Sequence, residues 1–172
     1  MPKCFYYLLH WKFDSEGHAR LATPEELNLQ ISIRQGADGQ EVDITQRSCG
    51  ESHKALGVHG NPARIQKAEY RHLLDKSDSM AQLLAAQSIT RSEAWKAYRS
   101  IFMSSMTYSL PASNFTRKEL AEIQSNPTRV LLSAMGYNRN MPLAVVFGPS
   151  YLGGIGLTHL YVAQGYLKTL TL

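Results

Sequence analysis

Cysteine is scarce in this 172-residue chain: Cys4 and Cys49 are the two it has, and they form no Cys-x-x-Cys pair. With no signal peptide in view, the default is an intracellular, reduced setting. Long apolar runs are missing too. None approaches the roughly 18 residues that a membrane-spanning helix needs, so no membrane partner is expected. No Gly-x-Ser-x-Gly elbow marks a hydrolase nucleophile. The glycine-rich stretch 148–156, GPSYLGGIG, has no Gly-Lys-Ser/Thr. Its Gly-Gly-x-Gly spacing also departs from Gly-x-Gly-x-x-Gly, so it reads as a tight, close-packed turn and not as a phosphate loop. Cys49-x3-His53 has a tolerable ligand spacing, but Cys4, His10, His18 and His59 supply no second pair, which argues against zinc. The acidic residues Asp14/Glu16, Glu25/Glu26, Asp38, Glu41/Asp43 and Asp75/Asp78 lack the strand–turn–strand Asp-Asp setting of two-metal phosphoryl transfer. No self-sufficient catalytic centre and no cofactor are expected in this chain, and it shows no internal repeat or low-complexity tract.

What is present is an ordinary apolar share, 44%, enough for one domain or two small lobes. Charge is placed unevenly. Residues 1–62 hold 6 Lys/Arg against 8 Asp/Glu, and residues 63–172 hold 12 against 6, which together make the net +4. A basic half joined to a slightly acidic one is the electrostatic footprint of a phosphate-binding surface, and equally of a solubilising face.

The first third predicts a small antiparallel β unit, residues 1–61. Residues 3–13, KCFYYLLHWKF, are apolar almost throughout and fit one strand covered on both faces. Asp14-Ser-Glu-Gly17 is a turn, His18–Ala22 the return strand, and Pro24–Leu27 a short helix or turn. Leu29, Ile31 and Ile33 alternate with polar residues, as do Val42 and Ile44, around a hairpin signal at Gly36-Ala-Asp-Gly39. Each alternation implies one buried face. Residues 54–59, KALGVH, read as a last short strand.

From Asn61-Pro62 the period changes to that of helices, over 62–172. A first helix is predicted from about Pro62 to about Ala86, Pro62 standing at its first position. Thr90-x-x-Glu93 and Thr116-x-x-Glu119 are capping boxes. The stripe Ala94, Ala97, Tyr98, Ile101, Phe102, Ser105 predicts a second helix that stops near Ser109, ahead of Pro111. Pro127 lies inside the third. A straight helix there would lose about 3 kcal/mol, so a kink or a break at Asn126 is expected. Gly136 is the natural residue just past its end, and Thr158–Leu172 can form a last helix. The fold class is therefore α+β, a β unit followed by a helical bundle. The compact segment Ala134–Leu160 carries too many large apolar residues to be a linker.

Basic residues are dispersed over the helical part: Arg64, Lys67, Arg71, Arg91, Lys96, Arg99, Arg117, Lys118, Arg129 and Arg139. Arg64, Lys67 and Arg71 at i, i+3 and i+7 share one face of the predicted helix and could follow a phosphate strand. Lys96 and Arg99 are neighbours in the same way. Tyr137 with Arg139 could stack on a base or sugar, although a tyrosine packed on the core is the commoner outcome.

Five blocks carry a family resemblance: PKCFYYLLHWKF at 2–13, KALGV at 54–58, TRSEAWKAYRSIFMSSMTYSLPA at 90–112, IQSNPTRVLLSAMGYNRNMPLAVVFGP at 123–149 and GGIGLTHLYVAQG at 153–165. Together they resemble the part that follows the palm in reverse transcriptases of non-LTR (LINE-like) retroelements. The resemblance implies a palm-edge and primer-grip segment followed by a thumb. In that family the catalytic aspartates, with their magnesium ions, lie on palm motifs upstream of the first block. The resemblance therefore implies a fragment of an RNA-directed DNA polymerase, inactive alone, that would grip the backbone of an RNA–DNA or DNA duplex beside the palm and fingers of its parent enzyme. Lys3 resembles the lysine that acts as a general acid toward pyrophosphate, and Leu56 and Gly57 resemble the primer grip. Two positions depart from the pattern: Leu143 and Thr158 stand where the family often has basic residues. The residues by themselves leave two other readings open, a freestanding basic nucleic-acid-binding module and a non-catalytic interaction protein.

Overall fold

The chain is α+β, with small sheets first and helices after them. The computed structural model describes residues 4–27, 29–35 and 40–171, so Lys3 and the hairpin signal Gly36–Gly39 lie outside the described residues. Packing divides the chain into two units, Met1–Ile65 and Gln66–Leu172.

In the first unit, the apolar opening is not one strand but two, β1 (Phe5–Tyr7) and β2 (Trp11–Phe13). β2 pairs antiparallel with β3 (Ala19–Leu21), placing Trp11 opposite Leu21. The turn between them forms as its residues predict. Asp14 Oδ1 accepts the backbone N–H groups of Glu16 and His18 at 2.9 and 2.8 Å, and Gly17 takes φ +82°. Pro24–Leu27 forms the short helix α1. β4 (Ile31–Gln35) pairs antiparallel with β5 (Gln40–Arg47), while β1 lies parallel to β5, giving the order β1-β5-β4. One parallel pair thus enters a unit otherwise built of antiparallel ones.

Burial departs from the periodicity. The register sets Ile31 opposite Ile44 and Ile33 opposite Val42, so these side chains share one face of the sheet. That face stays open: Ile31, Ile33, Val42 and the preceding Leu29 are all exposed. Trp11 is 60% and Phe13 73% exposed, so the opening stretch is not covered on both faces. Among the described residues, the buried apolar side chains of this unit are Ala22 and Cys49. Period-two patterning marks a face suited to burial, but burial needs a second layer, and the described residues of this unit supply none.

Residues 54–59 form a hairpin where a single strand was expected. β6 (His53–Ala55) and β7 (Val58–Gly60) pair antiparallel around Leu56 and Gly57, at φ +50° and +88°. Two left-handed residues make the type I′ turn whose twist matches that of paired strands.

In the second unit, α2 (Lys67–Ala85) starts five residues later than Pro62. Asn61 does not cap a helix. Its side chain closes a local loop, accepting from the Ile65 N–H at 2.9 Å and donating to the Ile65 carbonyl at 2.7 Å, and Arg64 turns left-handed at φ +56°. Both capping boxes form. Thr90 and Thr116 accept the N–H groups of Glu93 and Glu119, whose carboxylates reach back to the threonine N–H groups at 2.7 and 2.8 Å.

The second helical run is α3 (Arg91–Lys96), a π-helical stretch (Ala97–Met103) and α4 (Ser104–Thr107), with a 3₁₀ turn at Leu110–Ala112. Its buried line is Ala94, Tyr98, Phe102, Met106 and Leu110, while Ile101, expected on the stripe, is 59% exposed. In an α-helix a four-residue spacing drifts by about 40° per step. The i→i+5 bonding of the π stretch takes more residues per turn and cuts that drift, so residues four apart stay in line.

α5 (Arg117–Ala134) runs unbroken through Pro127, so of the expected kink or break the break at Asn126 does not form. Proline offers no N–H to the carbonyl four residues back, that of Ile123. Ser77 of α2 donates its hydroxyl to that carbonyl instead. The helix end follows its sequence: Gly136 at φ +81° closes it, with Tyr137 N–H on the Leu132 carbonyl and Gly136 N–H on that of Ser133. This is the paired bonding of a Schellman motif.

Beyond it come α6 (Leu143–Val146), a 3₁₀ turn (Ser150–Leu152) and α7 (Leu160–Leu170). Here Gly148 and Gly154 serve close packing, while Gly153 and Gly156 take positive φ. The backbone of 154–157 folds onto that of 145–148, and a Cβ at Gly154 would fall on the Gly148 carbonyl. The core lies among α2, the π stretch, α4, α5 and α7, around Phe102, Met106, Ile123, Leu131, Met135 and Leu160. Polar side chains fasten α7 to it. Gln124 accepts from Leu160 N–H and donates to the Thr158 carbonyl, both at 2.8 Å, and Tyr98 Oη bonds both backbone groups of Thr158. Burial pushes the Tyr98 hydroxyl pKa up to about 12.

Candidate nucleic-acid interface

The basic residues of the helical unit fall into separate groups. Lys67 and Arg71 are four apart on α2 and both exposed, so they share a face. Arg64 does not extend it. Its left-handed backbone precedes the helix and belongs to the first unit, so the spacing of the three residues does not make the expected helical stripe. Leu56 and Gly57 form the tip of the β6–β7 turn, and the Leu56 side chain is exposed.

Lys96 and Arg99 come together around Trp95. The Arg99 guanidinium lies 5.3 Å from the Trp95 ring centroid, within cation–π range. With Ser92 and Ser100 these three line a shallow groove of about 350 Å³. Trp95 was not among the sequence candidates. Its signal was an aromatic residue interleaved with basic ones at helical spacing, but the same residue fits the edge of the apolar stripe.

Tyr137 is already occupied. Arg91 donates to its hydroxyl at 2.7 Å, the guanidinium sits 4.9 Å from the ring centroid, and the ring packs against the core. The pairing of Tyr137 with Arg139 as a stacking site is not what forms. Arg139 instead joins Arg129 of α5. Both arginines are exposed, and neither has an ion-pair partner among the described residues. They stand where two clefts meet. One, about 340 Å³, lies between α5 and the segment 139–147. The other, about 750 Å³, lies between α5 and the residues at and beyond the C-terminal end of α2, Ser88 and Ile89 included.

The smaller cleft has an apolar wall of Leu132, Met141, Leu143 and Phe147, and among the described residues no Asp or Glu lines it. His159, the N-cap of α7, contributes an imidazole edge-on to Phe147 at 4.9 Å. Its Nδ1 accepts the Tyr161 N–H at 3.0 Å. Burial, helped by the Arg117 charge, holds its pKa below the usual histidine range, so the neutral form is favoured with its proton on Nε2. Thr128 is 4% exposed and its Oγ1 has no hydrogen-bond partner.

Comparison with known proteins gives no matching family model, no matching curated protein and no matching solved structure.

Among the described residues no three or more His, Cys, Asp or Glu side chains gather as a metal site, and no helix is long and apolar enough to cross a membrane. The ion pairs found are in the first unit. In the tightest, Arg20 makes two bonds to Glu26 at 2.6 and 2.9 Å.

Proposed function

We propose that this chain is the post-palm, primer-grip and thumb portion of a reverse transcriptase of the non-LTR type, and that its helical unit holds a template–primer duplex by contacts to phosphates. The observation that carries the reading is the pair Arg129 and Arg139. Both are exposed, without ion-pair partners among the described residues, and set between two clefts on one side of α5. The Lys96–Arg99 groove beside Trp95 adds cations with an aromatic ring, the combination used to track a strand without reading its sequence. Glu93, the carboxylate felt by Lys96, is engaged in its capping box.

The first unit supports the same reading. Its open apolar sheet face and exposed Trp11 and Phe13 suit a palm edge that packs against further polypeptide. The turn at Leu56 and Gly57 sets two left-handed residues at a hairpin tip, the tight turn that a primer grip would need.

The test is binding of a labelled RNA–DNA hybrid followed by anisotropy at several salt concentrations. If about five phosphates are neutralised, affinity should fall on the order of 500-fold between about 50 and 200 mM salt. Replacing Arg129 and Arg139 by glutamine should flatten that slope by about two charges. A salt-independent affinity, or a slope unchanged in the double variant, would sink the proposal. The exposed sheet face also favours a second reading, a protein-interaction module. Under that reading, substituting Ile31 and Ile33 by threonine would abolish partner binding and leave hybrid binding untouched.

A further inference from the structure

We propose that the cleft between α5 and the segment 139–147 is a binding site for a small aromatic oxyanion, a flat apolar ring system bearing one carboxylate or phosphate. The cleft's volume, about 340 Å³, falls in the range of small-molecule sites, which combine apolar walls with a few placed polar groups. The apolar side is Leu132, Met141 and Phe147. The polar side is a set of donors. Arg129 and Arg139 carry positive charge with no carboxylate lining the cleft, and Arg forks match oxyanions in geometry. His159 presents Nε2–H, because its Nδ1 is taken by the Tyr161 amide. Gln124, also in the lining, is spent on Leu160 and Thr158 and offers nothing further.

Thr128 lies in the wall of the cleft. Buried polar groups are almost always paired, and a helical threonine ordinarily returns its hydroxyl to a carbonyl of the preceding turn. Thr128 sits at the cleft nearly fully buried with that hydroxyl unpartnered. The hydroxyl oxygen is itself closed to solvent, so a ligand acceptor atom satisfies it only once the side chain turns to the other rotamer that a helical threonine adopts. A donor-rich, acid-free cleft with an unpaired buried hydroxyl is complementary to an anion and unfavourable to a cation. The inference does not depend on duplex binding, since the same chemistry is offered by a free small molecule or by the 5′-phosphorylated end of a strand.

The probe is 1-naphthyl phosphate, titrated calorimetrically into the whole chain, with 2-naphthol as the uncharged control. Saturable one-to-one binding is expected, with the control much weaker. Arg139→Gln should reduce affinity about tenfold, and Thr128→Val about fivefold. Thr128→Val also separates binding from folding. The swap is close in shape and removes an unpaired hydroxyl, so the urea midpoint should hold or rise while affinity falls. Competition by a 5′-phosphorylated oligonucleotide, but not by its unphosphorylated twin, would identify the strand end as the source; failure of both to compete would identify a free small molecule. No saturable binding at millimolar probe, equal binding of the uncharged control, or unchanged affinity in both variants would each overturn the assignment.

Discussion

Replacing Ser77 by alanine should destabilise the helical unit far more than the loss of one oxygen atom suggests. Pro127 sits inside α5 and deprives the Ile123 carbonyl of its helical partner, and the Ser77 hydroxyl supplies the missing donor from α2. Ser77 is fully buried and Ile123 nearly so, so water cannot take the hydroxyl's place. An unsatisfied buried carbonyl costs about 1–3 kcal/mol. With a urea m-value of about 2 kcal/mol/M, the midpoint should fall by roughly 0.5–1.5 M. The decisive experiment is a double-mutant cycle with Pro127→Ala. In that background alanine brings its own N–H to the Ile123 carbonyl, and Ser77→Ala should then cost less than about 1 kcal/mol. The packing lost with the proline ring cancels around the cycle, leaving a coupling of about 1–2 kcal/mol. Circular dichroism at 222 nm reports mainly on this unit, because the first unit contributes one four-residue helix, α1. Additive single effects, to within about 0.5 kcal/mol, would refute the claim that Ser77 compensates for Pro127.

Two further outcomes follow from the packing and the charges. Gly154→Ala, whose Cβ meets the Gly148 carbonyl, should lower stability by about 1–3 kcal/mol, whereas Gly165→Ala, in open space on α7, should raise it by about 0.5–1 kcal/mol, both read from urea midpoints. The bonds from Arg20, with the Thr23 amide, hold the Glu26 carboxyl down at about 2 against an ordinary 4.5. Its contribution to stability is therefore fully present above about pH 4.5 and lost as pH falls toward 2. A carboxyl-carbon NMR titration should show that low midpoint, and Arg20→Gln should move it most of the way back; a midpoint near 4.5 in the unaltered chain would contradict the geometry.

Features that depend on a few adjacent residues were legible before the fold was seen. The boxes at Thr90 and Thr116, the Asp14–Gly17 turn and the Gly136 helix end each close within a handful of residues, and each forms as read. Local readings erred where two conformations compete over the same few residues. The pattern KALGVH reads as one strand, but Leu56-Gly57 supplies the two left-handed residues of a hairpin. Asn61-Pro62 looked like a helix start, but the asparagine side chain bonds Ile65 in a local loop. That second error removed Arg64 from the helical stripe with Lys67 and Arg71. Trp95 escaped notice because an aromatic at the edge of an apolar stripe has the same spacing whether it packs inward or borders a basic groove.

The sequence by itself determined the change from a two-residue to a helical period near residue 61, the helix caps, the basic balance of the second part and the tight, close-packed turn that holds Gly148 and Gly154. All of these are set by backbone chemistry over short spans. Only the tertiary structure decided that α5 passes through Pro127, because the compensating hydroxyl comes from another helix. It also decided that the period-two faces of the first unit lie open, because periodicity states which side chains share a face and not what covers it. The meeting of Arg129, Arg139, Thr128 and His159 at one cleft belongs to the same class. α5, the loop after it and the cap of α7 bring those four side chains together, and no spacing along the chain encodes that they will meet.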